Sequence, residues 1–132
     1  DPPRPPRRAR ILVIDDEQAI VQLVSDALSA EGHQVELAMS GREGVQLAVL
    51  SHFDMVLTDL GMPDMSGWEV ASRIRKDSPD VPVVLVTGWG ASIDEDEVRR
   101  HGVAAVVHKP FEIRELLQTT AAILERAEAA PA

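Results

Sequence analysis

The sequence predicts a doubly wound α/β domain, a parallel sheet with helices on both faces. Three observations carry this prediction. Short apolar runs alternate with segments of helical periodicity, giving five strand and helix repeats along the chain. The stretch between successive runs is long enough for the right-handed crossover that parallel neighbours need, and such crossovers put helices over the sheet. The hydrophobic content of 45% comes almost entirely from Leu, Val, Ile and Ala, with aromatics at 3%, which suits aliphatic layers against a parallel sheet.

The elements follow in order. "ILVID" (Ile11 to Asp15) reads as a fully buried strand, after which Ile20, Leu23, Val24, Ala27 and Leu28 recur at helical spacing until Gly32 stops the helix. "QVELA" (Gln34 to Ala38) alternates as a strand does, and a helix after Ser40 carries Val45, Leu47 and Ala48. "MVLTD" (Met55 to Asp59) is the third strand, and Gly67 to Lys76 a short helix with Trp68, Ala71 and Ile74 on one side. "VVLVT" (Val83 to Thr87) is the fourth strand, "DEDEVRRHG" a thin acidic helix ending at Gly102, and "AAVVHK" (Ala104 to Lys109) the fifth strand. A long last helix aligns Ile113, Leu116, Leu117, Thr120, Ala121 and Leu124.

A chain of 132 residues with this apolar fraction fits one compact domain. The absence of cysteine excludes a disulfide scaffold, thiolate metal sites and cysteine nucleophiles, and agrees with a reducing cytoplasm, the expected location. No apolar run approaches the roughly 18 residues of a membrane span, so no membrane contact is expected. The formal charge is −9, yet the first ten residues, "DPPRPPRRAR", hold four arginines against one acid. Without them the chain has 9 basic and 21 acidic residues, a formal −12 that would repel phosphodiester backbones, so no direct nucleic-acid binding is expected. The Pro/Arg-rich start cannot pack a core and reads as a linker over residues 1–9, followed by a domain over 10–128 and a tail over 129–132.

In a doubly wound sheet the working site lies beyond the carboxyl ends of the strands, near the point where strand order reverses. Here those ends deliver Asp15 and Asp16 after the first strand, Asp59 after the third, Thr87 after the fourth and Lys109 after the fifth. In the common strand order 2-1-3-4-5 the first and third strands are neighbours about 4.8 Å apart, so their carboxylates converge. Like charges at 4 Å repel by about 4 kcal/mol at an effective dielectric of 20, so such a cluster calls for a cation. A hard divalent ion, Mg²⁺ first, suits carboxylate and carbonyl oxygens, and Lys109 adds a fixed positive charge. Taken singly, each residue has an ordinary reading: a turn or cap aspartate, a strand-end hydroxyl, a solvated lysine. Their coincidence on one sheet edge favours function.

With "VIDDE", "LTDLGMPDMSG", "VLVTG" and "HKPF" in order, the chain resembles the response-regulator receiver domains of two-component phosphorelays over residues 9–126. The second stretch fits that family's D-x-x-M-P-x-x-x-G around the phosphoacceptor. The resemblance implies a five-stranded flavodoxin-like sheet and phosphoryl transfer to Asp59 from a phosphohistidine on a histidine kinase or histidine phosphotransfer domain. It further implies Mg²⁺ held by Asp16 directly, by Asp15 largely through water, by Asp59 and by the Gly61 carbonyl. Lys109 then neutralises phosphoryl charge, Thr87 is the switch hydroxyl, and the bond before Pro110 is cis. Output is expected through the face of the fourth helix, fifth strand and fifth helix, and the isolated domain is expected to act as a switch rather than an enzyme. The basic linker and the lack of an effector after Ala132 make the carboxyl-terminal receiver of a hybrid sensor kinase the expected context, with a stand-alone receiver as the rival.

The chain departs from the family where many receivers carry Tyr or Phe three residues before the lysine: here the residue is Val106. Trp89, two residues past Thr87, and Gly61, two past Asp59, are expected to flank the path of water to an acyl phosphate and to make its hydrolysis slow. The histidines His33, His52, His101 and His108 show no metal-site spacing and are expected at the surface or in loops. Two other functional classes remain open. One is an interaction module of the same fold that ignores phosphate; the other is a small Asp-nucleophile phosphatase, disfavoured because the first-strand acids are adjacent rather than spaced D-x-D.

Overall fold

The structure is a computed structural model that describes residues 8–88 and 93–129. Strands and helices alternate as β1 (Arg10–Ile14), α1 (Gln18–Ala30), β2 (Gln34–Ala38), α2 (Gly41–Leu50), β3 (Met55–Asp59), α3 (Gly67–Asp77), β4 (Val83–Thr87), α4 (Glu95–His101), β5 (Ala105–His108) and α5 (Ile113–Ala129). Every strand pairing is parallel, and the order is β2-β1-β3-β4-β5, the doubly wound sheet that the sequence predicts.

Strand alternation divides the apolar residues between two layers. Leu12, Ile14, Val56, Val83 and Leu85 point to the side of α2 and α3, where Ala48, Val70, Ala71 and Ile74 meet them. Ile11, Val13, Leu57, Val84 and Val86 point to the side of α1 and α5, against Val24, Leu28, Leu116, Ile123 and Leu124. β3 and β4 are buried along their whole length because both faces are covered, hence their unbroken apolar runs.

Two strand boundaries differ from the sequence reading. β1 gains Arg10 and stops at Ile14, so Asp15 stands just past it. Arg10 is drawn into the strand because its N–H donates to Asp54 Oδ2 at 2.8 Å, while its guanidinium pairs with Glu36 at 3.3 Å and lies over the Phe53 ring. β5 is shorter at both ends: the Lys109 N–H still reaches the Thr87 carbonyl at 2.8 Å, but Pro110 has no N–H to continue the ladder. Packing starts before the first strand, since Ala9 is buried and its carbonyl accepts from the Gln34 N–H at 2.9 Å.

α4 has no buried residue. Its ends define it instead: the Asp94 carboxylate caps the Asp96 N–H, acids fill the first turn, Arg99, Arg100 and His101 fill the last, and Gly102 closes it at φ 66°. His101 ties it to α3, with Nδ1 at 2.7 Å from Ser72 Oγ and its ring 5.2 Å from that of Trp68.

The loop after β3 is stapled to α2. Asp64 accepts the N–H groups of Gly41 at 3.1 Å and Arg42 at 2.9 Å, the first two of that helix. The Arg42 N–H, followed by that of Gly41, holds the Asp64 carboxyl below the usual carboxylate range despite some desolvation. A lowered native pKa gives stability that is present above the ordinary aspartate value and lost as pH falls through the lowered one. Asp64→Ala is therefore expected to lower the melting temperature at neutral pH, with the deficit closing in acid. Thermal melts of both proteins down the pH scale check this, and a deficit independent of pH would show that the charge plays no part.

Candidate functional site

The carboxyl ends of β1, β3, β4 and β5 meet at one edge of the sheet. Asp15 follows β1, with its N–H donating to the Ala38 carbonyl at 3.1 Å and its Oδ1 accepting the Glu17 N–H at 2.9 Å. Asp59 is the last residue of β3, and both it and Asp15 are buried while Asp16 is exposed. One oxygen from each of the three lies within 4.8 Å of the other two. Lys109 Nζ reaches across from the end of β5, 2.9 Å from Asp15 Oδ2 and 3.3 Å from Asp59 Oδ1, with Glu17 Oε1 at 3.8 Å. The bond from Lys109 to Pro110 is cis.

The electrostatics follow from this crowding. Burial pushes the Asp59 carboxyl up, the Asp15 charge pushes the same way, and the attraction of Lys109 only partly offsets them. Burial works against the charge on Lys109, but the hydrogen bond and charge of Asp15, then those of Asp59, outweigh it and hold the ammonium above its usual range. Three carboxylates against one ammonium leave two negative charges unmatched when all are ionised. The donor set, three carboxylates in mutual reach at an accessible edge, fits a hard divalent cation such as Mg²⁺.

Thr87 ends β4 and is fully buried, and its Oγ1 has no hydrogen-bond partner among the described residues. A buried hydroxyl left unpaired is unusual and calls for a reason. Gly61 lies exposed in the loop after β3, its backbone bridged to Ser66. Val106 is partly buried and packs into the layer under α2, α3 and α4. Trp89 lies outside the described residues. His101 is partly exposed at the end of α4, and besides its α3 contacts its Nε2 is 3.1 Å from Glu97 Oε2. Among the described residues no second cluster of acids or histidines forms a potential metal site.

Two residues that build the site escape a reading of the sequence alone. Gly67 closes the loop after β3, donating its N–H to the Leu60 carbonyl at 2.8 Å, and a Cβ there would sit 2.5 Å from the Asp59 carbonyl oxygen. Asp64 holds the same loop to α2. The glycine ending the D-x-x-M-P-x-x-x-G pattern is the one signal for the first; the partners of Asp64 lie too far along the chain to be read.

Comparison with known proteins fits this arrangement. The family model for the response regulator receiver domain matches residues 11–121. The DNA-binding dual master transcriptional regulator RpaA of Synechocystis sp. is 36% identical over 124 residues, covering 92% of this chain and 52% of that protein. The cell cycle response regulator CtrA of Brucella ovis is 36% identical over 121 residues, covering 90% and 51%. The chain thus spans about half the length of the curated relatives it matches. The crystal structure of a CheY-like receiver domain protein from Methanospirillum hungatei JF-1 superposes with a TM-score of 0.87 at 30% identity, covering 92% of this chain and 98% of that one. A family match over most of the chain, relatives at 36% identity and a superposition over the whole sheet lead to one conclusion: the chain belongs to the response regulator receiver domain family.

Proposed function

We propose that this domain is a phosphoryl acceptor: Asp59 takes a phosphoryl group from a phosphohistidine on a histidine kinase or histidine phosphotransfer domain, in a Mg²⁺-dependent phosphorelay. The observation that carries the reading is the convergence of Asp15, Asp16, Asp59 and Lys109 beside an unpartnered Thr87 hydroxyl. An ionised oxygen of Asp59 forms a bond to phosphorus while the bond from phosphorus to the donor imidazole nitrogen breaks, and that nitrogen keeps the electron pair. Lys109 holds Asp59 through one oxygen and carries positive charge to where phosphoryl oxygens arrive. Asp15, Asp16 and Asp59, with the Gly61 carbonyl, are the residues that would hold Mg²⁺. The ion supplies charge neutralisation at the phosphoryl oxygens.

Thr87 is the switch. Its free hydroxyl gains a partner once a phosphoryl oxygen is present, and that gain biases the loop and helix following β4. Output then runs through the face of α4, β5 and α5, where α4 is held by little burial and Val106 replaces a bulkier ring. The exchange takes place in the cytoplasm, where ATP charges the kinase, without direct contact of this domain with nucleic acid. No described helix is long and apolar enough to cross a membrane.

The test is to incubate the chain with a small-molecule phosphodonor, with Mg²⁺ or with a chelator, and to read intact mass. Gain of one phosphoryl group only with the metal, mapped to Asp59, is the expected result. An unmodified chain under all conditions would instead leave a phosphate-blind interaction module.

The unpaired hydroxyl yields a separate expectation. Thr87→Val keeps the shape and removes a desolvated group, so it should raise stability by about 1 kcal/mol. A denaturant melt that shows a loss instead would mean that the hydroxyl already has a partner.

A further inference from the structure

At the opposite edge of the sheet, below the amino ends of β4 and β5, is an open groove of about 340 Å³. It is lined by Arg75 of α3, Asp80 and Pro82 before β4, Gly102 and Ala104 before β5, and Ile123 and Arg126 of α5. The length of the strands places it roughly 16 Å from the acid cluster, far enough to be occupied independently.

Its charge is anomalous for this chain. The formal charge is −9, and Arg10, Arg73, Arg99, Arg100 and Lys109 are each tied to a carboxylate. Arg75 and Arg126, like Arg42, Lys76 and Arg114, form no ion pair among the described residues, and these two line the groove. Asp80 offsets one of the two, leaving the groove one positive charge in excess. Arg75 also lies over Gly102, where a Cβ would collide with its Nε. The groove therefore presents two guanidinium forks together with the apolar Pro82, Ala104 and Ile123, a surface complementary to carboxylates beside an aliphatic side chain.

We propose that this groove docks an acidic, leucine-bearing segment of a partner protein, with its carboxylates on Arg75 and Arg126 and its aliphatic side chain on the apolar floor. The inference stands apart from phosphoryl acceptance, since the groove shares no residue with the site at the carboxyl edge. Because Arg75 rests on the residue that ends α4, occupancy also bears on the seating of that helix.

The probe is a fluorescein-labelled peptide, Glu-Leu-Asp-Leu-Glu, titrated into the whole chain and followed by anisotropy, beside the same peptide with Gln and Asn replacing the acids. The acidic peptide is expected to bind, weakening with salt, and the neutral one to bind at least about tenfold more weakly. Arg126→Gln, on an exposed position, should weaken binding severalfold with an unchanged melt, and Arg75→Gln should do the same. Asp80→Asn should tighten it. Equal binding of the neutral peptide, unchanged affinity in both arginine variants, or no binding of the acidic peptide overturns the proposal. Complete displacement by inorganic sulfate at equal concentration overturns the peptide assignment as well, and would mark a small-anion site.

Discussion

Asp59→Asn is expected to lose phosphoryl uptake by at least about 10³-fold and, in chelated buffer, to be more stable than the parent. Both effects have one cause. The parent buries a carboxylate beside Asp15, and burial together with that neighbouring charge raises its native pKa above the ordinary value. A raised carboxyl pKa penalises the folded state once the group is ionised: no penalty applies below the ordinary value, and it is complete above the raised one. An amide of the same shape is free of this penalty and can still accept from Lys109. The gain is expected at neutral pH and should shrink toward zero in acid. Added Mg²⁺ should reverse the order, since a ligand present at about 100 times its Kd stabilises by about 2.7 kcal/mol and the variant has lost one donor. Melts of both proteins, with chelator and with Mg²⁺, check all of this. A variant less stable than the parent without metal would mean that Lys109 fully compensates the buried charge.

The second large effect is expected at Gly67. A Cβ there would stand 2.5 Å from the Asp59 carbonyl oxygen, 2.8 Å from Leu60 Cα and 2.8 Å from Leu85 Cδ2. Two of these are backbone atoms, one of the last residue of β3 and one of the first residue of the loop after it, and the third is a fully buried side chain. None is the free end of a flexible group. Gly67→Ala should therefore cost about 3 kcal/mol, a fall in Tm on the order of 10 °C, and displace Asp59 enough to blunt any response to Mg²⁺. Gly61→Ala is the control: nothing lies within 4 Å of a Cβ built there, so its melt should move little. Similar melts for the two variants would mean that α3 can withdraw from the loop without loss.

The strands were legible because parallel strands covered on both faces must be continuously apolar, as in β3 and β4, and the site was legible because such runs end abruptly on Asp, Thr and Lys. α4 was readable for another reason: its caps and charge order mark it where an apolar face is missing. What escaped reading depends on contacts between distant parts of the chain. Arg10 joins β1 through Asp54 and Glu36, Asp64 caps a helix that precedes it, and His101 reaches back to Ser72 and Trp68. Polar residues of this kind look like ordinary surface in a sequence, because the fold alone supplies their partners.

α4 stands apart in its lack of any buried residue. Val98 packs only partly against the core, and much of the remaining attachment runs through His101. Most of its stability is local, from caps and pairs of charges, and so is largely decoupled from the cooperative unit formed by the sheet and the other helices. Such a helix is expected to open separately at a small cost in free energy, so that its seated form and a lifted one would lie close in free energy. A bias of about 1.4 kcal/mol, of the order of one charge-assisted hydrogen bond, changes their ratio tenfold. A scaffold that would yield only to a far larger force thus carries one element that a single new contact can move.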